Sequence, residues 1–222
     1  MWSDMSVRKT EQVYQTVDWN RVIKTLDPRI KRYLVKSKKF LMKNIKGNVL
    51  VLEAGCGDGS FIDEISRQVE KVVGIDYSEK LLKEARKKLK GRKNVKLIAG
   101  NVERVRLPKN YFDYAISMWT LPNLDHPEGF IKKLKDAIKE NGVIFIDTYS
   151  EKATQARIKS YTAYGLTVLG TTKDEILVKE GLTEKIYTKS KLRKLFNKLN
   201  LSLKILELTP FSYMCKAIKL PA

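Results

Sequence analysis

The 222-residue chain carries 44 Lys+Arg against 25 Asp+Glu, a formal charge of +19, with two cysteines and one histidine. Such a length can bury the core of one α/β domain, and no apolar run approaches the roughly 18 residues of a membrane-spanning helix. Cys56, Cys215 and His126 are too few and too scattered for a structural zinc site, so no metal is expected.

Residues 1–46 precede the first strand signal and are expected to form a helical cap over it. Their opening, MWSDMSVRKTEQVYQ, has no secretory apolar stretch, which makes a cytoplasmic location the expectation. NVLVLEA (48–54) is a continuous apolar run of the kind found in buried parallel strands. A glycine turn follows, and SFIDEISRQV (60–69) then sets Phe61, Ile62, Ile65 and Val69 on one helical stripe. KVVGID (71–76) reads as a second strand. SEKLLKEARKKL (78–89) reads as a helix capped by Ser78, with Leu81, Leu82, Ala85 and Leu89 on one face. NVKLIAG (94–100), FDYAISMW (112–119) and GVIFIDTYS (142–150) are the third to fifth strands. HPEGFIKKLKDAIKENG (126–142) forms a helix with Pro127 in its first turn and Gly142 just past its end.

This alternation predicts a mainly parallel sheet with helices on both faces. The last part differs. After a helix at 189–199, LSLKILELT (201–209) and FSYMCKAIKL (211–220) are separated by little more than Pro210. A link that short allows an antiparallel hairpin and forbids a parallel crossover. Residues 151–188 interrupt the pattern with a tyrosine-bearing helix and a small hairpin. The expected organisation is one domain: a cap (1–46), a core (47–150), an insertion (151–188) and a C-terminal helix with its hairpin (189–222).

The excess lysines lie in three stretches, 29–46, 80–96 and 189–204, each with apolar residues at helical spacing. That is the pattern of solvated helix faces. The competing reading is a face for RNA or another anionic surface.

The candidate site begins at LEAGCGDGS (52–60). A strand, a glycine turn, a helix and an acid ending the next strand make a nucleotide site, in which Asp76 is placed to accept from both ribose hydroxyls. A dinucleotide is disfavoured, because the pattern is Gly55-x-Gly57-x-Gly59 with Ser60 where GxGxxG needs its last glycine. Carboxylates at Glu53 and Asp58 would also repel a pyrophosphate. They suit a ribose-bearing ligand without phosphate that carries positive charge, and S-adenosylmethionine fits that description. Asp58 is equally suited to capping the next helix.

Over residues 47–150 the chain resembles the class I (Rossmann-like) S-adenosylmethionine-dependent methyltransferases. The similarity rests on E-x-G-x-G-x-G at 53–59, GIDYS at 74–78, LIAGNVERVRLP at 97–108, FDYAISMWTLPNL at 112–124 and KENGVIFIDTYS at 139–150. The resemblance implies that Gly55, Cys56 and Gly57 line the methionine portion of the cofactor and that Glu53 helps hold its amino group, directly or through water. Asp76 would bind the ribose, Tyr77 would lie beside the adenine, and Asn101 and Val102 would meet the adenine edge. Met118 would sit near the methyl group. Asn101 stands where the family more often has aspartate, and its side-chain carbonyl can accept in the same way. Bland alternatives are a core filler for Cys56 and a core position for Val102.

The acceptor is less legible. The N/D-PP-Y/F motif of nucleic-acid amino methyltransferases is replaced by SMWTLPN, and no Pro-Cys nucleophile pair is present. His126 opens a helix, where a capping or surface role is expected, so no catalytic base is assigned. Trp119 and Tyr149 end strands at the ligand-binding edge. With Tyr14 and Trp19 they are the expected substrate-binding residues, and Tyr161, Tyr164 and Tyr187 are further aromatic candidates. The expected reaction is methyl transfer to a nucleophilic N or O atom of a small molecule. An RNA methyltransferase and a non-catalytic cofactor-binding protein are the alternatives.

Overall fold

The structure, a computed structural model, describes residues 19–179 and 181–221. Helices α1 (Trp19–Thr25) and α2 (Pro28–Asn44) precede the sheet. The Asp27 carboxylate accepts the Arg29 backbone N–H at 2.9 Å and so caps α2, while Pro28 fills its first turn without leaving an unsatisfied donor. Ile30, Tyr33, Ser37 and Leu41 recur on one side of α2 and are buried.

Strand β1 (Gly47–Ala54) is followed by α3 (Ser60–Ile65), β2 (Val69–Asp76), α4 (Glu79–Lys88) and β3 (Val95–Ala99). The chain then crosses to β4 (Phe112–Ser117), α5 (Pro127–Ala137) and β5 (Ile138–Tyr149). Next come α6 (Thr154–Tyr164), the short strands β6 (Val168–Thr171), β7 (Glu175–Val178) and β8 (Thr183–Lys185), then α7 (Lys189–Asn197), β9 (Leu201–Thr209) and β10 (Ser212–Lys219). The main sheet has seven strands in the order β3-β2-β1-β4-β5-β10-β9. Strands β1 to β5 are parallel, and β10 runs antiparallel to both β5 and β9, as the short link before it requires.

The two sheet faces explain the continuous apolar runs. Leu52, Val73, Phe112 and Ile144 pack with Phe130 and Leu134 of α5 and Leu192 and Phe196 of α7. Val51, Val72, Ile116 and Phe145 pack with Leu41 of α2, Phe61 and Ile62 of α3 and Leu82 of α4. Each of these large side chains contributes about 1.5–3 kcal/mol by leaving water, which is why both faces of β1 are apolar.

Two expected boundaries move. The helix expected over 60–69 stops at Ile65, and Val69 opens β2 opposite Gly47. The Asn94 amide holds that junction by donating to Ser66 O and Val69 O at 2.8 and 3.2 Å. The helix expected to reach Gly142 ends at Ala137, because Ile138 already pairs with Phe112. Gly142 lies in an irregular stretch of β5 where Asn141 has φ 60°. The insertion is also larger than a hairpin: β6, β7 and β8 form their own antiparallel sheet.

Strand order reverses between β1 and β4. The crevice beyond the carboxyl ends of these strands is where this architecture binds ligands. The glycine turn leaves β1 there, and Met118, Trp119 and Thr120 leave β4 there.

Candidate active site

The glycine turn is pinned from below. The N–H groups of Gly55 and Cys56 both donate to Ile75 O, at 2.8 and 2.9 Å. Gly55 has φ +84°, and a Cβ there would collide with the Thr120 hydroxyl, so glycine is required by the protein itself before any ligand arrives. The Gly57 N–H donates to Asp76 Oδ2 at 2.8 Å, and the Ser78 N–H donates to Asp76 Oδ1 at 2.9 Å. Asp76 thus ties the turn to the end of β2. Burial raises its acid, and these backbone donors pull the other way.

Asp58 is braced within the protein. Its Oδ1 accepts the Ser60 N–H at 3.1 Å, and its Oδ2 pairs with Lys88 at 2.5 Å. The residue capping α3 is Gly59, with no side-chain cap. Burial would raise the Asp58 acid, but the Lys88 and Ser60 hydrogen bonds hold it below the ordinary value.

A cavity of about 470 Å³ runs from this turn to an aromatic chamber. Gly55, Gly57, Asp76, Tyr77, Asn101, Val102 and Met118 lie along its first part. Glu53 and Cys56 lie behind that lining. The Cys56 thiol packs in the core against the position of Gly74. Glu53 is 2 % exposed, and its Oε2 has no hydrogen bond among the described residues. Burial drives the Glu53 acid well above the carboxylate range; Lys38 lowers it, while Asp76, Asp58 and Asp147 raise it further. Asn101 Oδ1 accepts the Glu103 N–H at 2.7 Å, so one of its two lone pairs secures the turn after β3.

The second part of the cavity is walled by Trp119, Tyr149, Arg157, Tyr161 and Tyr164, with Val22, Ile23 and Leu26 from the N-terminal side and Leu182 from the insertion. Trp119 has φ 60°, a conformation costing a non-glycine residue about 1–3 kcal/mol. Its N–H donates to Asp147 Oδ1 at 2.8 Å, which fixes the backbone in that state. The Trp119 and Tyr149 rings lie 5.9 Å apart, and Tyr33 meets Tyr149 edge-on at 5.4 Å. Asp147 is fully buried below them, and burial raises its acid to about 6 against the pull of the Trp119 N–H and the Tyr33 and Ser37 hydroxyls.

Arg157 and Glu184 form a buried ion pair at the far wall, 2.7 Å between Nη2 and Oε2. Local sequence patterns gave no sign of them: Glu184 occupies the inward position of a three-residue strand, 27 residues from its partner. The guanidinium lies over the rings of Tyr149 and Tyr161, at 4.1 and 4.7 Å. Of the other aromatic candidates, Tyr187 turns into the core, with its hydroxyl 3.5 Å from Leu121 O. Tyr14 lies outside the described residues, and Trp19 begins α1. His126 takes the N-cap position of α5 without a side-chain cap bond and does not line the cavity.

Residues 52–146 match the methyltransferase domain family. Over these residues the chain carries a methyltransferase domain. The methyltransferase is 27% identical over 177 residues to a demethylmenaquinone methyltransferase of Staphylococcus saprophyticus, covering 74% of this chain and 76% of the relative. It is 32% identical over 134 residues to a ubiquinone biosynthesis O-methyltransferase of Pelagibacter ubique, covering 60% of this chain and 51% of the relative. It thus spans about three quarters of the first relative and about half of the second. Among solved structures, the complex of DhpI with S-adenosylhomocysteine superposes with a TM-score of 0.73 at 16% identity, over 97% of this chain and 98% of that one, which shows the shared fold.

Proposed function

We propose that this methyltransferase transfers a methyl group to a nitrogen or oxygen atom of a small, ring-bearing molecule held between Trp119, Tyr149 and Tyr161. The observation that carries the reading is the single cavity joining the glycine turn to an aromatic chamber. Its charged lining, Asp58, Asp76, Glu84, Glu103 and Asp125 against Lys80, Lys88 and Arg157, is not basic. A polyanion such as RNA would want the reverse. The lysines of α2 and α4 instead face solvent, with Lys31, Lys36, Lys39, Lys83 and Lys87 exposed. One relative is named for demethylmenaquinone and the other for ubiquinone biosynthesis, which agrees with a ring-bearing acceptor. Among the described residues no helix is long and apolar enough to cross a membrane, and we place the enzyme in the cytoplasm as part of the same proposal.

The donor end fits S-adenosylmethionine. Glu53 Oε2, buried behind the lining without a hydrogen bond among the described residues, suits the ligand's ammonium, reached directly or through water. In this reading Gly55 and Gly57 bring backbone to the methionine portion, and Asp76 takes the ribose hydroxyls with its remaining lone pairs. Tyr77, Asn101 and Val102 flank the adenine, and Met118 lies near the methyl group. Bound there, the cofactor supplies a methyl group already activated by its sulfonium. The chain then has to align the acceptor and exclude water, and proximity of this kind can supply much of the rate. Neither His126 nor Asp147 lines the cavity, and the proposal assigns no general base.

The test is titration with S-adenosylhomocysteine and, separately, with bulk RNA at about 50 and about 200 mM salt. The reading expects saturable cofactor binding and only weak RNA binding. Tight RNA binding that collapses with salt would overturn the small-molecule assignment.

A further inference from the structure

Arg157 is a costly residue to bury in an acceptor chamber, and its hydrogen bonds show what remains to be satisfied. Nε donates to Glu184 Oε1 at 3.0 Å, and Nη2 donates to Glu184 Oε2 and to Tyr161 Oη, both at 2.7 Å. The Tyr161 hydroxyl in turn donates to Glu184. Among the described residues no hydrogen bond leaves Nη1, although Arg157 is 9 % exposed and lines the cavity. Tyr149 also lines the cavity, but its Oη is sealed from solvent and lies within reach of the Arg157 guanidinium. The guanidinium lies over the Tyr149 ring, 4.1 Å from its centroid, which leaves Nη1 as the unused donor at the chamber wall.

We infer that the acceptor presents a neutral oxygen, a ring hydroxyl or a carbonyl, to Nη1 of Arg157. The inference rests on the small-molecule reading of this cavity and narrows its substrate class. A guanidinium has donors and no acceptor, so the group facing it must accept. Charge then decides which acceptor. Glu184 already cancels the charge of Arg157, so a carboxylate would enter as an uncompensated buried anion. An ammonium would face a donor-only edge and gain no hydrogen bond there. A neutral oxygen satisfies Nη1 and adds no charge. The rings of Tyr149 and Tyr161 beside the guanidinium leave the apolar body of the acceptor an aromatic wall to pack against.

The test uses four bicyclic probes of one shape, titrated into the enzyme loaded with S-adenosylhomocysteine: 2-naphthol, 2-acetylnaphthalene, 2-naphthoate and 2-naphthylmethylammonium. The first two are expected to bind about tenfold more tightly than the last two, the worth of one hydrogen bond to a charged donor. Whichever of the first two binds better tells a hydroxyl from a carbonyl acceptor. The double variant Arg157→Met/Glu184→Gln, which leaves no lone buried charge, is expected to lose that preference and keep its affinity for S-adenosylhomocysteine. A purely structural ion pair would leave the preference intact, and that result overturns the inference. So would tightest binding of the naphthoate or the ammonium probe, or binding of none. Should the double variant fail to bind S-adenosylhomocysteine, Arg157→Lys, which keeps the charge and removes the Nη1 donor, serves in its place. It is expected to weaken the neutral-oxygen probes selectively, and equal effects on all four would overturn the inference. Failure of the wild type to bind S-adenosylhomocysteine would instead sink the donor assignment itself, a separate outcome.

Discussion

Replacing Asp147 with asparagine is expected to stabilise the unliganded protein at neutral pH and to change it little near pH 4. Asp147 is fully buried, and burial moves its acid from 3.8 to about 6. Below the unfolded value, folded and unfolded chains both hold the proton, and Asp147 costs nothing. As pH rises from about 4 to about 6, the unfolded chain releases its proton while the folded one keeps it, so stability falls. Above about 6 both states are ionised and the penalty is constant. A shift of about two units at about 1.4 kcal/mol each gives a penalty of about 3 kcal/mol. Asparagine removes the titration and keeps an oxygen for the Trp119 N–H, which Asp147 Oδ1 now receives at 2.8 Å. Denaturant unfolding of both proteins at about pH 4 and about pH 7.5 reads the difference. The stability gap between variant and wild type should widen by about 3 kcal/mol across that range. A gap that stays flat, or one that widens toward acid, would refute the reasoning.

Three further outcomes can be checked. Glu53→Gln removes a buried acid held well above its usual range. It should raise the melting temperature of the free protein at neutral pH and shrink the further rise given by S-adenosylmethionine; a larger ligand-induced rise would contradict the role proposed for Glu53. Asp76→Ala should weaken S-adenosylmethionine by about tenfold or more in calorimetry, since a hydrogen bond to a charged acceptor contributes about 1.5–3 kcal/mol. It should also lower stability, because the N–H groups of Gly57 and Ser78 lose their acceptor; unchanged affinity would count against the donor site. Trp119→Ala should impair turnover more than cofactor affinity. Because Trp119 sits at φ 60°, Trp119→Gly should unfold at higher denaturant than Trp119→Ala, by about 1 kcal/mol; the opposite order would mean that the strain is absent.

Features encoded over a few consecutive residues were legible without coordinates. The runs NVLVLEA and KVVGID announce strands buried on both faces, and the short link at Pro210 forces β10 antiparallel. The acids and glycines of 53–59 belong to one turn, so their chemistry could be read together. Element ends were less legible, because local periodicity does not record pairing. Val69 fits a helical stripe and is claimed by Gly47 across the sheet, and Ile138 fits a helix and is claimed by Phe112.

The acceptor chamber belonged to the tertiary structure alone. Tyr161 and Tyr187 look alike in sequence, yet one lines the cavity and the other fills the core. Asp147 reads as one more residue of an apolar strand until β5 carries it beneath Trp119. Arg157 and Glu184 read as surface charges until α6 packs beside β8 and excludes water from both. The sequence by itself determined the layered sheet and the residues of the glycine turn, because each depends on neighbours along the chain. Which side chains face one another across the acceptor was decided only by packing between distant segments, where burial turns ordinary charges and hydroxyls into a selective wall.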